Sequence, residues 1–389
     1  MNRKPTMLIY GAWNIWRGFL ADLWHQSWYA CIFVDVRNDI IDALNTQHAY
    51  THRTVWAQWV HEKEIDSVRW IHGSNIQEVI EAISDATLIT TAVGKDALQF
   101  IIPTLQQWLL QRIKQWNHED CVVTTIAFEN VHWNTEYLKS LILKWLSSED
   151  QKKIMDHVQF PNSLVDRIVP NYQWENILDV CVEDYYQIAI DGNAVDTPPR
   201  LYWIQITPDL DALADQKLFT LNMGHALTAY LWNLSWATTI HDAIQNTTIN
   251  TMVHSTMREI GQLLAMKYPN TITQKTHESY VSTTIERFKN HYLNDTIDRV
   301  ARDPIRKLWP QDRLVSPFLE LFDKNIPASY LGSWIASALL YQNTQDVQAL
   351  KLQSDIKNQW IENVITNYLW ITKWEQMDLI SSHYHLRSL

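Results

Sequence analysis

Hydrophobic positions change their spacing once along this chain. Through the first half, short apolar runs alternate with stretches of helical periodicity, whereas in the second half helical periodicity dominates to the end. Met7–Tyr10 and Cys31–Val34 read as strands, with a helical pattern between them through about Trp28. Thr54–Trp59 and Asp66–Trp70 form a small strand excursion, Asn75–Ile83 a helix, Thr87–Thr91 a buried strand, Lys95–Trp116 a long helix and Val122–Ile126 another strand. Strands and helices alternating in this rhythm build a parallel, doubly wound sheet whose ligands lie at the carboxyl ends of the strands. Leu178–Glu183 and Gln187–Ile190 add two strands, and the Pro198–Pro199 pair marks a boundary. Beyond about Thr207 the spans Asp211–Ser235, Thr239–Lys267, Glu278–His291 and Val315–Phe322 are helical. The predicted fold is an α/β, Rossmann-like doubly wound domain over 1–200, followed by a mainly α-helical domain over 201–389.

Composition narrows the function. A chain of 389 residues exceeds what one core serves, and its 46% hydrophobic content supplies two. A net charge of −11 and a pI near 5.7 disfavour nonspecific nucleic-acid or anionic-membrane binding, while leaving room for a local basic pocket. Cys31, Cys121 and Cys181 are few and widely spaced, so no disulfide framework or C-x-x-C metal site is expected, and a cytoplasmic location fits. The apolar run Tyr330–Tyr341 is too short to span a bilayer. Oligomeric state is left open. Glycine occurs 8 times and tryptophan 20 times, so turns and close backbone approaches are under-supplied.

That shortage falls on the first strand–turn–helix–strand unit. After Met7–Tyr10 comes GAWNIWRGF, and Asp35 follows Gly11 by 24 residues, near the interval of about 20 at which an acid takes the ribose hydroxyls of a dinucleotide. Gly11, Ala12, Trp13, Asn14 and Ile15 then form the loop at the helix start that receives the pyrophosphate. A carboxylate at position 35 repels a 2′-phosphate, which points to NAD over NADP. The G-x-G-x-x-G pattern would place glycine where Trp13 and Trp16 stand, and only Gly11 and the later Gly18 remain. Gly94, closing the run TTAVG, lies at a further strand end and is a second cofactor candidate.

The densest chemistry lies in KLFTLNMGH, Lys217 to His225. Asn222 and His225, three apart, project from one helix face, and Lys217 lies slightly over two turns before His225, again on roughly that side, so the three converge. A lysine among Leu218, Phe219 and Leu221 can act as a general base if desolvation lowers its pKa. An amide can donate to an alkoxide-like oxygen, and a histidine can hold a hydroxyl. Spacing also admits a snorkelling lysine, a capping amide and a hydrogen-bonded core histidine.

Asn130, after the strand Val122–Ile126, is a second candidate amide, or else the cap of the helix that starts near Thr135. Asp166 and Arg167 in FPNSLVDRIVP read as a structural ion pair or as site-lining groups. In ARDPIRKLWPQDRL, the cations Arg302, Arg306, Lys307 and Arg313 suggest an anion site, or a charged surface paired with Asp303 and Asp312. The tail with His383 and His385 reads as a frayed terminus and not as a metal site.

Taken together, GAWNIWRGF with Asp35, TTAVG, the Glu129–Asn130 pair, VDRIVP (Val165 to Pro170), KLFTLNMGHALTAYL and RDPIRKL with DRL resemble the polyol-specific long-chain dehydrogenase/reductase family, in its sugar-phosphate branch, over nearly the whole chain. The resemblance implies an NAD-dependent, metal-independent reversible oxidation of D-mannitol 1-phosphate to D-fructose 6-phosphate. By it Lys217 would be the general acid/base, Asn130 and Asn222 the oxyanion-stabilising amides, and His225 and Asp166 would orient the reacting hydroxyl and the site. Arg302, Arg306 or Lys307 would meet the phosphate of a small sugar or polyol phosphate. The family carries glycine where this chain has Trp13, Trp16, Trp232 and Trp236. An unphosphorylated polyol or hexuronate dehydrogenase of the same family, or a catalytically silent relative that binds a sugar phosphate or a protein partner, remains open.

Overall fold

A computed structural model describes the chain except for residues 1–4, 12–15, 21, 24–26, 28, 67–68, 84–85, 116–121, 170–174, 200, 202, 232–236 and 389. It divides into two compact units, Met1–Leu210 and Asp211–Leu389.

The N-terminal unit is built on a six-stranded sheet of β1 (Thr6–Tyr10), β2 (Ala30–Asp35), β5 (Arg69–His72), β6 (Ala86–Thr91), β7 (Val123–Ala127) and β8 (Val158–Gln159), ordered β5-β2-β1-β6-β7-β8. All five pairings are parallel. Successive residues of β1 enter opposite cores, Met7 and Ile9 on one face, Leu8 and Tyr10 on the other. That is why these strands read as unbroken apolar runs: both faces are buried. The strand order reverses between β1 and β6, the place where a doubly wound sheet opens a crevice at its carboxyl edge.

Two three-stranded sheets complete this unit. One is ordered β10-β3-β4 and the other β12-β11-β9, from β3 (Ala49–Trp56), β4 (Trp59–Asp66), β9 (Ser163–Asp166), β10 (Val180–Glu183), β11 (Gln187–Asp191) and β12 (Gln205–Thr207). The span Thr54–Trp59, expected as one strand, is instead a hairpin corner, with Trp56 paired across to Trp59. Its apolar continuity hides the turn, because neither Ala57 nor Gln58 is a turn-forming residue.

In the C-terminal unit helices pack around one apolar core. The span expected as a single helix over Thr239–Lys267 is two, Ile240–Gln245 and Thr247–Lys267, because the Asn246 side chain turns back to accept the N–H groups of Thr248 and Ile249 at 3.0 and 3.2 Å. The expected frayed terminus is the helix Trp374–Ser388, held by Arg387, whose Nη2 donates to Ser333 Oγ at 2.9 Å and whose guanidinium lies 5.0 Å above the Trp334 ring. Trp334 is buried, and its indole N–H donates to Thr256 Oγ1 at 2.6 Å.

Candidate active site

In the N-terminal unit the candidate groups gather at the carboxyl ends of the central strands. Gly11 leaves β1 at φ 113° with its N–H on the carbonyl of Val34 at 2.8 Å, and Gly94 follows β6 at φ 91°. Both backbones lie in the region that a side chain strains, so glycine is required at each. Asp35 ends β2, and its Oδ1 accepts the N–H groups of Val36 and Arg37 at 2.7 and 3.0 Å, which fixes the carboxylate at the strand tip. Neighbouring Arg37 pairs with Asp39. A positive-φ glycine after β1, a carboxylate at the end of β2 and the reversal of strand order fit a dinucleotide. The expected contacts Ala12, Trp13, Asn14 and Ile15 lie outside the described residues, as do Trp232 and Trp236.

Glu129, named above only as the neighbour of Asn130, is buried and clamps the loop that leads to Gly94. Its Oε2 accepts from Thr91 Oγ1 at 2.9 Å and its Oε1 from the Val93 N–H at 3.1 Å. Burial raises its pKa, and these donors offset part of the rise. Asn130 itself is exposed and does not cap the helix Asn134–Leu143. That role falls to Asn162, whose Oδ1 accepts from Thr135 N and Glu136 N at 3.1 and 3.0 Å. Asp166 is buried at the end of β9, opposite Gln187. Arg167 donates through Nε to the Glu183 carbonyl at 2.7 Å and lies over the Phe19 and Tyr186 rings, and burial lowers its pKa to about 10.

In the C-terminal unit the signature lies on a helix of mixed winding. Lys217–Asn222 is a π-turn, continued by the α-helix Met223–Tyr230, and the Met223 N–H reaches back to the Leu218 carbonyl. In a regular α-helix, residues five apart would diverge by about 140°. A π-turn closes five residues on, which brings Lys217 and Asn222 towards one side of the helix about one turn apart, and Asn222 and His225 keep the α offset of three. All three are half-buried, between buried Phe219, Thr220, Leu221 and Met223. Asp215 anchors the start of the turn: its Oδ2 accepts from Tyr268 Oη at 2.7 Å and lies 2.9 Å from Lys267 Nζ, which also contacts Glu320 at 2.8 Å.

His225 Nε2 lies 2.9 Å from Oδ2 of Asp295, and Arg299 grips the same carboxylate. Neither Asp295 nor Arg299 was singled out in the sequence, since a contact across seventy residues leaves no periodic signal. Burial pushes the Asp295 carboxyl up, but His225 and Arg299 outweigh it and hold it at about 2.

The basic block begins one residue beyond Ala301, whose carbonyl accepts from Tyr230 Oη at 2.9 Å at the end of the signature helix. Arg302 and Arg306 are exposed, with Asp303 and Asp312 3.7–3.9 Å away. Arg313 donates to Asp312 at 2.7 Å. Lys307 differs from the surface cation expected: it is 3% exposed and donates to the Arg302 carbonyl. Burial, reinforced by Arg306 and Arg313, lowers its pKa to about 7. No His/Cys/Asp/Glu cluster able to hold a metal occurs among the described residues, and no helix among them is long and apolar enough to cross a membrane.

A parallel sheet with this strand order is thus followed by a helical unit carrying Lys-x4-Asn-x2-His. The mannitol dehydrogenase Rossmann domain matches residues 5–202, and the mannitol dehydrogenase C-terminal domain residues 209–377. Mannitol-1-phosphate 5-dehydrogenase of Oceanobacillus iheyensis is 38% identical over 359 residues, 90% of each chain, and that of Anoxybacillus flavithermus 35% identical over 363, covering 92% of this chain and 93% of its own. In fold, the chain is similar to a substrate-free D-sorbitol dehydrogenase (TM-score 0.83, 15% identity, covering 99% of this chain and 93% of that one). It is similar too to Pseudomonas fluorescens mannitol 2-dehydrogenase, solved as a ternary complex with NAD and D-mannitol (TM-score 0.75, 16% identity, 99% and 92%). The chain belongs to the mannitol dehydrogenase family.

Proposed function

We propose that this chain catalyses the NAD-dependent, reversible oxidation of D-mannitol 1-phosphate to D-fructose 6-phosphate, with Lys217 as general acid/base. The observation that carries the reading is the π-turn that brings Lys217 and Asn222 towards one side of the helix, in a chain whose relatives at 34–38% identity are mannitol-1-phosphate 5-dehydrogenases. NAD, when bound, accepts the hydride from the carbinol carbon. Lys217 removes the hydroxyl proton, Asn222 and Asn130 donate to the oxygen as it becomes alkoxide-like, and His225 holds a substrate hydroxyl, with Asp166 ordering the site. In the reverse direction Lys217 returns the proton. Gly11, Gly94 and Asp35 hold the dinucleotide, with Ala12, Trp13, Asn14 and Ile15 in its loop.

The basic block supplies the phosphate contact. Arg302 and Arg306 are exposed, whereas Lys307 is buried and donates to the Arg302 carbonyl. The test is steady-state kinetics on both sugars with Arg306→Ala. Loss of a charge-assisted hydrogen bond of about 1.5–3 kcal/mol raises KM for mannitol 1-phosphate roughly tenfold to a hundredfold. KM for free mannitol stays within about twofold. Equal effects on both would favour an unphosphorylated polyol as substrate.

A further inference from the structure

Asp295 lies between the short turn His291–Leu293 and the helix Ile297–Ala301. Its side chain is 4% exposed, with Oδ2 2.9 Å from His225 Nε2 and 2.5 Å from Arg299 Nη2, while Arg299 Nε donates to Oδ1 at 2.6 Å. Arg299 thus grips the carboxylate side-on with two nitrogens. The backbone of Asp295 is pinned as well, its carbonyl accepting the Ile240 N–H at 2.8 Å. On the other side the His225 ring stacks on Phe288, centroids 5.0 Å apart and planes 18° from parallel. Carboxylate and imidazole are both held against rotation.

At 2.9 Å a bare ring nitrogen would set its lone pair against the carboxylate oxygen, so charge alone favours a proton on the nitrogen that faces Asp295, although the two atoms meet as an ion-pair contact and not as an aligned hydrogen bond. Arg299 balances the carboxylate charge, so the imidazole needs no second proton to stay paired. We propose that Asp295 is a positioning residue that, with Arg299, holds His225 in its Nε2–H form and leaves Nδ1 as the hydrogen-bond acceptor for a substrate hydroxyl. This rests on the role given to His225 above and sharpens it. His225 receives an O–H and does not donate, so it orients the polyol without competing with Asn222 for the oxygen that Lys217 deprotonates. Fixing a ring nitrogen through a carboxylate on the opposite nitrogen is a general device for setting the tautomer of a functional histidine.

The test joins kinetics to nitrogen NMR of the full-length enzyme. Asp295→Ala should lower kcat/KM for mannitol 1-phosphate by about tenfold to a hundredfold, and Asp295→Asn, which keeps an accepting oxygen, should recover part of the loss. In a His225→Asn background Asp295→Ala should add no more than about twofold, since the two residues act as one unit. Imidazole ¹⁵N shifts of the unsubstituted enzyme should show His225 protonated at Nε2 and bare at Nδ1. Multiplicative effects in the double variant, or the opposite tautomer, would overturn the proposal. The NMR measurement decides it even if Asp295→Ala fails to fold. Loss of the Lys217 role would show separately, as turnover surviving Lys217→Met.

Discussion

In the N-terminal unit the candidate site is made largely of backbone: Gly11 at φ 113°, Gly94 at φ 91°, and N–H groups held by Asp35 and Glu129. In the C-terminal unit it is made of side chains, Lys217, Asn222 and His225, carried on a helix whose buried neighbours fix them in place. A backbone site tolerates few side chains, because the ligand and the neighbouring elements approach where a Cβ would stand. A side-chain site survives wherever its own few residues survive. Tryptophan enrichment therefore bears unequally on the two. It takes positions 13 and 16 inside the first loop, whereas in the C-terminal unit it takes positions 232 and 236 beyond the signature and leaves Lys217, Asn222 and His225 themselves in place.

The comparison breaks most sharply at the π-turn. Inserting one alanine after half-buried Leu218 would set Lys217 six residues from Asn222 and, at about 100° per helical residue, turn it off their common side. Turnover should fall by about 10²–10⁴-fold, the usual contribution of a general base, while an NADH-fluorescence titration stays unchanged. Turnover within a few-fold of the parent would show that the winding does not set the site. The reciprocal change acts on the other unit. Overpacking typically costs about 1–3 kcal/mol, so Trp13→Gly with Trp16→Gly should tighten NADH roughly tenfold to a hundredfold and change sugar affinity less. An unaltered NADH Kd would mean that both indoles are seated away from the dinucleotide.

Two smaller effects refine the contrast. Lys307 has a folded pKa of about 7 against 10.5 for the free side chain, so between these values the unfolded chain binds more protons and folding stability rises with pH. Urea unfolding of the parent relative to Lys307→Met should therefore show the parent gaining stability from pH 7 to 10, and a flat difference would contradict the burial. Of the non-glycine residues with positive φ among those described, three are tryptophans, Trp133, Trp145 and Trp370. Trp145 is 89% exposed at φ 69°, so it loses little contact when removed, and Trp145→Gly should raise stability by about 1 kcal/mol. A loss of stability would mean that its contact with Lys144 outweighs the strain.

Much of this architecture is legible in the sequence because buried parallel strands announce themselves as apolar runs between helical spans, and the interval from Gly11 to Asp35 locates the dinucleotide unit. Features that arise from local departures are silent. Helical spacing already brings Lys217, Asn222 and His225 roughly to one side, but the π-turn that carries the first two adds no residue type that spacing would flag. The Trp56–Trp59 corner has no turn residue, and the Asn246 break depends on one side chain choosing its own backbone. Asp295 reaches His225 only through tertiary packing. The C-terminal helix looks polar enough to fray, yet Arg387 docks it on Trp334.

The most direct test of the central claim is Lys217→Met, which keeps the length of the side chain and removes its proton chemistry. Steady-state assays with mannitol 1-phosphate and NAD, paired with NADH titration and a melting curve, should show kcat reduced by about 10²–10⁴-fold, with NADH affinity and melting temperature close to the parent. Near-parental turnover in a folded Lys217→Met enzyme would contradict it.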